Sequence, residues 1–251
     1  MAATMTLVIT SPQNPVVKRL VKLRDDSSYR EEENSAIVVG RKMVSEAQNH
    51  TTLKTVIILD EGDIPSNIKC DNIIMVTPEI MKKVSGVKNP EPIIAEVVIT
   101  TMPITDDMRF FVVLENISDP GNMGTLIRTA LALGWDAVII IGDSVDVYND
   151  KALRAAKGAT FRIPIVKLSL EDLKKLLENK DVPLYIADMA GDDISSIENR
   201  DSAALLLGSE AHGASAKAKD AGTLVSIPMS GDIESLNVAA AGSILMYIMK
   251  K

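Results

Sequence analysis

The 251-residue sequence predicts an α/β fold, with a parallel sheet in its second half and a smaller α/β domain ahead of it. Three observations predict this. Short apolar runs alternate with segments of helical periodicity along the chain, and strands alternating with helices pair in parallel. Residues 100–107, Thr-Thr-Met-Pro-Ile-Thr-Asp-Asp, lose all periodicity just before a strongly apolar run, which places a domain boundary there and gives domains 1–103 and 104–251. Hydrophobic residues make up 46% of the chain, enough for a core in each half.

In the first half, residues 15–24 interleave Val17, Leu20, Val21 and Leu23 with Lys18, Arg19, Lys22 and Arg24. That is a basic amphipathic helix capped by Asn14. Apolar runs at 36–39, 55–59, 73–76 and 93–99 read as strands, and 78–84 as a short helix opened by Pro78. In the second half, strands are expected at 110–114, 137–141, 184–188, 203–207 and 224–227. Helices are expected at 125–133, at 151–157, from the Ser169 cap to 179, and from about 236 to 249.

Composition narrows the function. Acidic residues outnumber basic ones, 34 to 27, which argues against coating nucleic acid through bulk charge and leaves local basic patches. Cys70 is the single cysteine, and His50 and His212 are the only imidazoles, so neither a disulfide framework nor a Cys/His metal cluster can form. The amino terminus lacks a basic segment ahead of a long apolar one, and no apolar run approaches a membrane span of about 20 residues. A cytoplasmic protein without metal or membrane attachment is expected.

Unusual polar chemistry gathers in three loops that follow strands: 116–128, 208–215 and 228–237. In open parallel sheets ligands sit at the carboxyl ends of the strands, so convergence of the three implies one site. The first, Asn116-Ile117-Ser118-Asp119-Pro120-Gly121-Asn122-Met123-Gly124, leads into a helix bearing Arg128. Either that helix start receives an anion with Arg128 closing on it, or the loop is a capped turn followed by a surface arginine. In the second loop, Glu210 follows an apolar strand and is expected to be partly desolvated, pairing with a cation, for which Arg128 is the obvious partner, or holding loop amides. His212 reads as a solvated loop residue. The third, Ile227-Pro228-Met229-Ser230-Gly231 through Ser235-Leu236-Asn237 to the small-residue run 239–242, suits close approach of backbone to a ligand.

Together the loops become specific. Asn122-Met123-Gly124-x-x-x-Arg128, Gly208-Ser209-Glu210-x-x-Gly213 and Ile227-Pro228-Met229-x-Gly231-x-x-x-Ser235-Leu236-Asn237-Val238 resemble, in order and spacing, the three motifs of the SpoU (TrmH) family of RNA ribose 2′-O-methyltransferases. The resemblance covers residues 108–251. Segments 11–18 and 30–41 are similar to the substrate-binding domain of the family's ribosomal RNA-directed members.

The resemblance implies a carboxyl-terminal SPOUT domain with a deep trefoil knot, a homodimer, and S-adenosylmethionine as cofactor. It assigns Gly208, Ile227, Met229 and Leu236 to the cofactor, and Asn122, Arg128, Glu210, Ser235 and Asn237 to the active site. Arg128 is expected to bind the adjacent phosphate and stabilise charge on the 2′-oxygen, fixed in place by Asn122 and Glu210. Ser235 and Asn237 would orient the ribose. Because arginine keeps its proton, the base is unassigned.

Two basic stretches are candidate RNA tracks. Lys151, Arg154 and Lys157, followed by Arg162 and Lys167, have no acidic residue among them; Lys18 and Arg19, with Lys22 and Arg24, form the second. Either could instead be a solvated helix face. With 3% aromatic residues, recognition is expected to use RNA shape and backbone. Ribosomal RNA is the favoured substrate; transfer RNA, or a non-catalytic RNA-binding or ribosome-assembly role on the same fold, is the alternative.

Overall fold

The structure, a computed structural model, describes residues 6–197, 201–231 and 235–250. It forms two compact units that divide between Thr100 and Thr101, except that Tyr148–Phe161 belongs to the first.

In the first unit, β1 (Thr6–Ile9), β2 (Ser35–Val39), β3 (Leu53–Ile58), β4 (Cys70–Val76) and β5 (Ile93–Val98) form one sheet ordered β1-β4-β3-β5-β2. β1, β4 and β3 run parallel, and β5 is antiparallel to both its neighbours. On one face, α1 (Pro15–Asp25) and α4 (Pro78–Ser85) bury Val17, Leu20, Leu23, Ile80, Met81 and Val84 against Ile37, Ile57, Ile74 and Ile94. Both starts obey helix chemistry: Pro15 and Pro78 open them, and the Asn14 and Thr77 side chains accept amides of the first turn.

The other face is covered by α3 (Arg41–Gln48) and α6 (Asp150–Ala156). Here the structure departs from the expected 104–251 domain. Leu153 and Phe161 are buried in one cluster with Ala36, Val38, Val44, Val56 and Ile58, so the segment between the first and second motifs packs with the amino-terminal unit.

Arg19 is also corrected. Its guanidinium, expected to face RNA, donates to both oxygens of Glu96 at 2.6 and 3.0 Å and to Glu33 at 3.0 Å. Glu96 is 1% exposed in the middle of β5, and a carboxylate there requires a paired cation. The Glu96 hydrogen bond raises the Arg19 pKa above its ordinary value despite burial. Arg24 is likewise engaged, donating to the Lys83 and Val84 carbonyls and to Asp25.

The second unit holds β6 (Phe110–Glu115), α5 (Pro120–Ala132), β7 (Ala137–Ile141), β8 (Ile165–Lys167), α7 (Leu170–Lys180), β9 (Leu184–Asp193), β10 (Ala203–Leu207), α8 (Ala216–Lys219), β11 (Thr223–Ser226) and α9 (Val238–Met249). All six strands are parallel, ordered β11-β9-β10-β6-β7-β8. The apolar runs of β6, β7 and β10 lack alternation because both faces are covered. α7 buries Leu173 and Leu177 against Phe111, Val113, Ile139 and Leu206. α5 and α9 pack together, where a Cβ on Gly242 would lie 2.5 Å from Leu207 and 2.6 Å from Leu126. The bare glycine lets α9 seat.

Candidate active site

From β6 the chain proceeds to β7 and β8 on one side, whereas β10, β9 and β11 lie on the other. The order therefore reverses between β6 and β10, and a crevice opens at the carboxyl ends of these two strands. The loops of the first two motifs leave from there.

Asp119 caps α5 by accepting the Asn122 amide at 2.7 Å, and Pro120 occupies the first turn. The helix starts at Pro120, not at 125. Its entry is bound from outside by Glu210, whose carboxylate accepts the Ser118 amide (3.3 Å), the Ser118 hydroxyl (3.1 Å), the Asp119 amide (3.3 Å) and the Asn122 Nδ2 amide (3.0 Å). Of the two expected roles for Glu210, holding loop amides is the one observed. Two carboxylates of the protein itself thus occupy the anion-receiving helix start. Burial works to raise the Glu210 pKa, but the Asn122 hydrogen bond and the backbone amides at Glu210, Ser118 and Asp119 outweigh it and hold it below its ordinary value.

The third motif joins the same network. Asn237 donates Nδ2 to Asn122 Oδ1 at 3.2 Å and, through its own Oδ1, accepts the Ala239 and Ala240 amides that open α9. Asn122 is the hinge pin, with one end on Glu210 and the other on Asn237. All three loops are tied by side chains whose donors and acceptors match in sign.

Arg128 is not part of this network. It is exposed on α5, and among the described residues no hydrogen bond or ion pair reaches its guanidinium. The expected fixing of Arg128 by Asn122 and Glu210 is therefore absent. Six residues along a helix displace a side chain by about 120° around the axis from its starting direction, so Asn122 and Arg128 leave α5 on different faces.

Beside the network lies a cavity of about 1070 Å³. Gly208, Ile227, Met229, Leu236, Ser235 and Asn237 all line it, with Asp188, Glu210 and His212. Residues 232–234 of the third loop lie outside the described residues. An apolar wall with a few convergent polar groups, at this size, fits a nucleoside-bearing cofactor. Gly208 makes the wall possible: a Cβ there would lie 2.1 Å from the Ala214 nitrogen and the Gly213 carbonyl carbon, where Ser209 and Gly213 bridge to close the loop. Gly208→Ala is therefore expected to displace the loop, read as faster hydrogen exchange over residues 208–215.

Acid is expected to loosen the same loops. A carboxylate held below its ordinary pKa, about 4.3 for Glu, contributes stability fully above that pH and loses it as pH falls through the folded-state value. The stability advantage of the native protein over Glu210→Gln should shrink as pH is lowered through that window in thermal unfolding.

Several partners were not singled out from sequence. Ser118 and Asp119 both meet Glu210 through backbone amides that no side-chain pattern reveals, with the Ser118 hydroxyl adding one side-chain bond, although Asp-Pro is itself a helix-start signal. Asp188, on the cavity wall, pairs with Lys219 from α8, and that hydrogen bond, with the Ala190 amide, lowers the Asp188 pKa.

Of the cationic residues, Lys151, Lys157 and Lys18 are exposed. Arg154 is paired with Asp150 at 2.6 Å. Lys157 stands past the end of α6 in a left-handed conformation, so the three cations do not continue as one helical row. Among the described residues no cluster of metal-ligating side chains occurs, and no helix is long and apolar enough to cross a membrane.

The model of the SpoU rRNA Methylase family matches residues 109–247, and that of the MRM3-like substrate binding domain matches residues 14–95. The 23S rRNA (guanosine(2553)-2′-O)-methyltransferase RlmP of Bacillus subtilis is 32% identical over 248 residues, covering 96% of this chain and 98% of that protein. A crystal structure of the S-adenosylmethionine-bound rRNA methyltransferase from Sinorhizobium meliloti superposes with a TM-score of 0.86 at 27% identity, covering 97% of each chain. The SpoU methyltransferase AviRb of Streptomyces viridochromogenes, at 23% identity and a TM-score of 0.86, shares the fold. The chain belongs to the SpoU rRNA methylase family and is an S-adenosylmethionine-dependent 2′-O-methyltransferase.

Proposed function

We propose that this protein methylates a ribose 2′-hydroxyl of ribosomal RNA. The observation that carries the reading is the Glu210–Asn122–Asn237 network bordering the cavity, because it joins all three motif loops at one strand-order switch. When bound, S-adenosylmethionine would supply a methyl group from its sulfonium sulfur, which is left as a neutral thioether once the methyl is transferred. Gly208, Ile227, Met229 and Leu236 would hold the cofactor. Ser235 and Asn237, at the cavity, orient the ribose, and alignment of hydroxyl with methyl is the main catalytic demand. Arg128 binds the neighbouring phosphate and stabilises charge developing on the 2′-oxygen, while keeping its own proton.

A homodimer is part of this reading. α9 leaves Ile244, Tyr247 and Ile248 exposed, with Leu236 just ahead of it, and such an apolar face suits a second copy. Arg128 is exposed on α5, the helix packed beside α9, so a second copy seated there would meet it. Lys18, Lys151 and Lys157 are the proposed phosphate contacts. Arg154 is a weaker candidate because Asp150 already pairs with it, and Arg19 is left out because Glu96 and Glu33 hold it. A knotted carboxyl-terminal path and a cytoplasmic location complete the proposal.

The test is transfer of labelled methyl from S-adenosylmethionine to ribosomal and transfer RNA in parallel. Label in ribosomal RNA that survives as an alkali-resistant dinucleotide supports the reading. Label confined to transfer RNA reassigns the substrate, and none in either leaves an RNA-binding role.

A further inference from the structure

We propose that Glu115 is a positioning residue that holds the 208–215 loop in its cofactor-receiving shape; this rests on the reading of the cavity as the cofactor site. Glu115 ends β6 and is 5% exposed. A carboxylate so buried requires specific donors, and it has them. Its Oε2 accepts the Ser215 amide at 2.8 Å, and its Oε1 accepts the Ser215 hydroxyl at 2.6 Å. Ser215 closes the loop and caps α8, its oxygen accepting the Ala218 amide at 3.2 Å.

The two motif loops are thereby bound in both directions. Glu210, from the second loop, holds the amides of the first, and Glu115, from the base of the first, holds the end of the second. Between these anchors the loop is closed internally by the Ser209–Gly213 bridge and by the His212 amide donating to the Ser209 hydroxyl at 3.1 Å, set against Gly208 with no room for a Cβ. Gly208 through Gly213 line the cavity, so the Ser215 anchor decides where that wall stands. Glu115 itself does not line the cavity, which is why its effect must pass through the loop.

Glu115→Met keeps side-chain length and removes both acceptors; Glu115→Gln restores an acceptor for the Ser215 amide. Two readouts are needed. Hydrogen exchange of the segment 208–215 without cofactor should rise in Glu115→Met and return toward native in Glu115→Gln. S-adenosylmethionine affinity should fall about tenfold in Glu115→Met, with most of the loss recovered in Glu115→Gln. Leu177→Ala, a core change on α7, controls for lost stability and should leave the affinity unchanged. Native affinity or unchanged exchange in a folded Glu115→Met overturns the proposal, as does an equal affinity loss in Leu177→Ala. If Glu115→Met does not fold, Ser215→Ala, which keeps the amide and removes the hydroxyl, should show both effects at smaller size, and their absence overturns it equally. Absence of cofactor binding by the native protein would refute the cavity reading, while the exchange readout would still decide the clamp.

Discussion

An Arg128→Ala variant is expected to lose RNA methylation by about 10²–10³-fold, the usual cost of removing a donor that stabilises developing charge, while binding S-adenosylmethionine with native affinity. The separation follows from geometry. Arg128 lies outside the Glu210–Asn122–Asn237 network and does not line the cavity, so its removal leaves the cavity wall standing. Single-turnover methylation and calorimetry on the same preparation check both halves. Native turnover in the variant would remove Arg128 from the mechanism, and lost cofactor binding would give it a structural role instead.

Arg19→Met is expected to have the largest effect on stability, about 3 kcal/mol, near the low end for breaking a buried pair because the arginine side is partly solvated. The penalty arises from Glu96, which is left buried between β3 and β2 without its guanidinium partner. Urea unfolding should show it as a lowered midpoint. Replacing the partner as well, in Arg19→Met with Glu96→Leu, should recover most of the loss, since no uncompensated charge then remains. Unchanged stability in Arg19→Met, with RNA affinity reduced, would return Arg19 to the RNA-facing set.

Sequence reading reached the buried strands and stopped at the partners of individual side chains. The runs at β6, β7 and β10 were legible because strands covered on both faces are simply apolar. The short helices α2 (Ser27–Glu33), α3 and α8, and the edge strand β1, escaped, because each is too short for its periodicity to stand out. α6 was expected as a helix at 151–157, but not where it packs: Leu153 is buried with Ala36 and Val38, more than a hundred positions earlier. The family resemblance grouped Asn122, Glu210 and Asn237, and the structure joins their side chains in one network. Their partners were not legible, since Glu210 chose backbone amides over the nearby-looking Arg128, and amides carry no letter in a sequence. Arg19 failed for the complementary reason, because a cation on a helix reads alike whether it meets solvent or a buried glutamate.

The central claim is ribose 2′-O-methylation of ribosomal RNA at a site built by the three loops. It is tested most directly by mapping ribose methylations in ribosomal RNA from cells with the protein, without it, and with Arg128→Ala in its place. The account predicts that one ribosomal RNA methylation disappears on removal, returns with the native protein, and stays absent with Arg128→Ala. An unchanged ribosomal RNA methylation map after removal, or full restoration by Arg128→Ala, would contradict it.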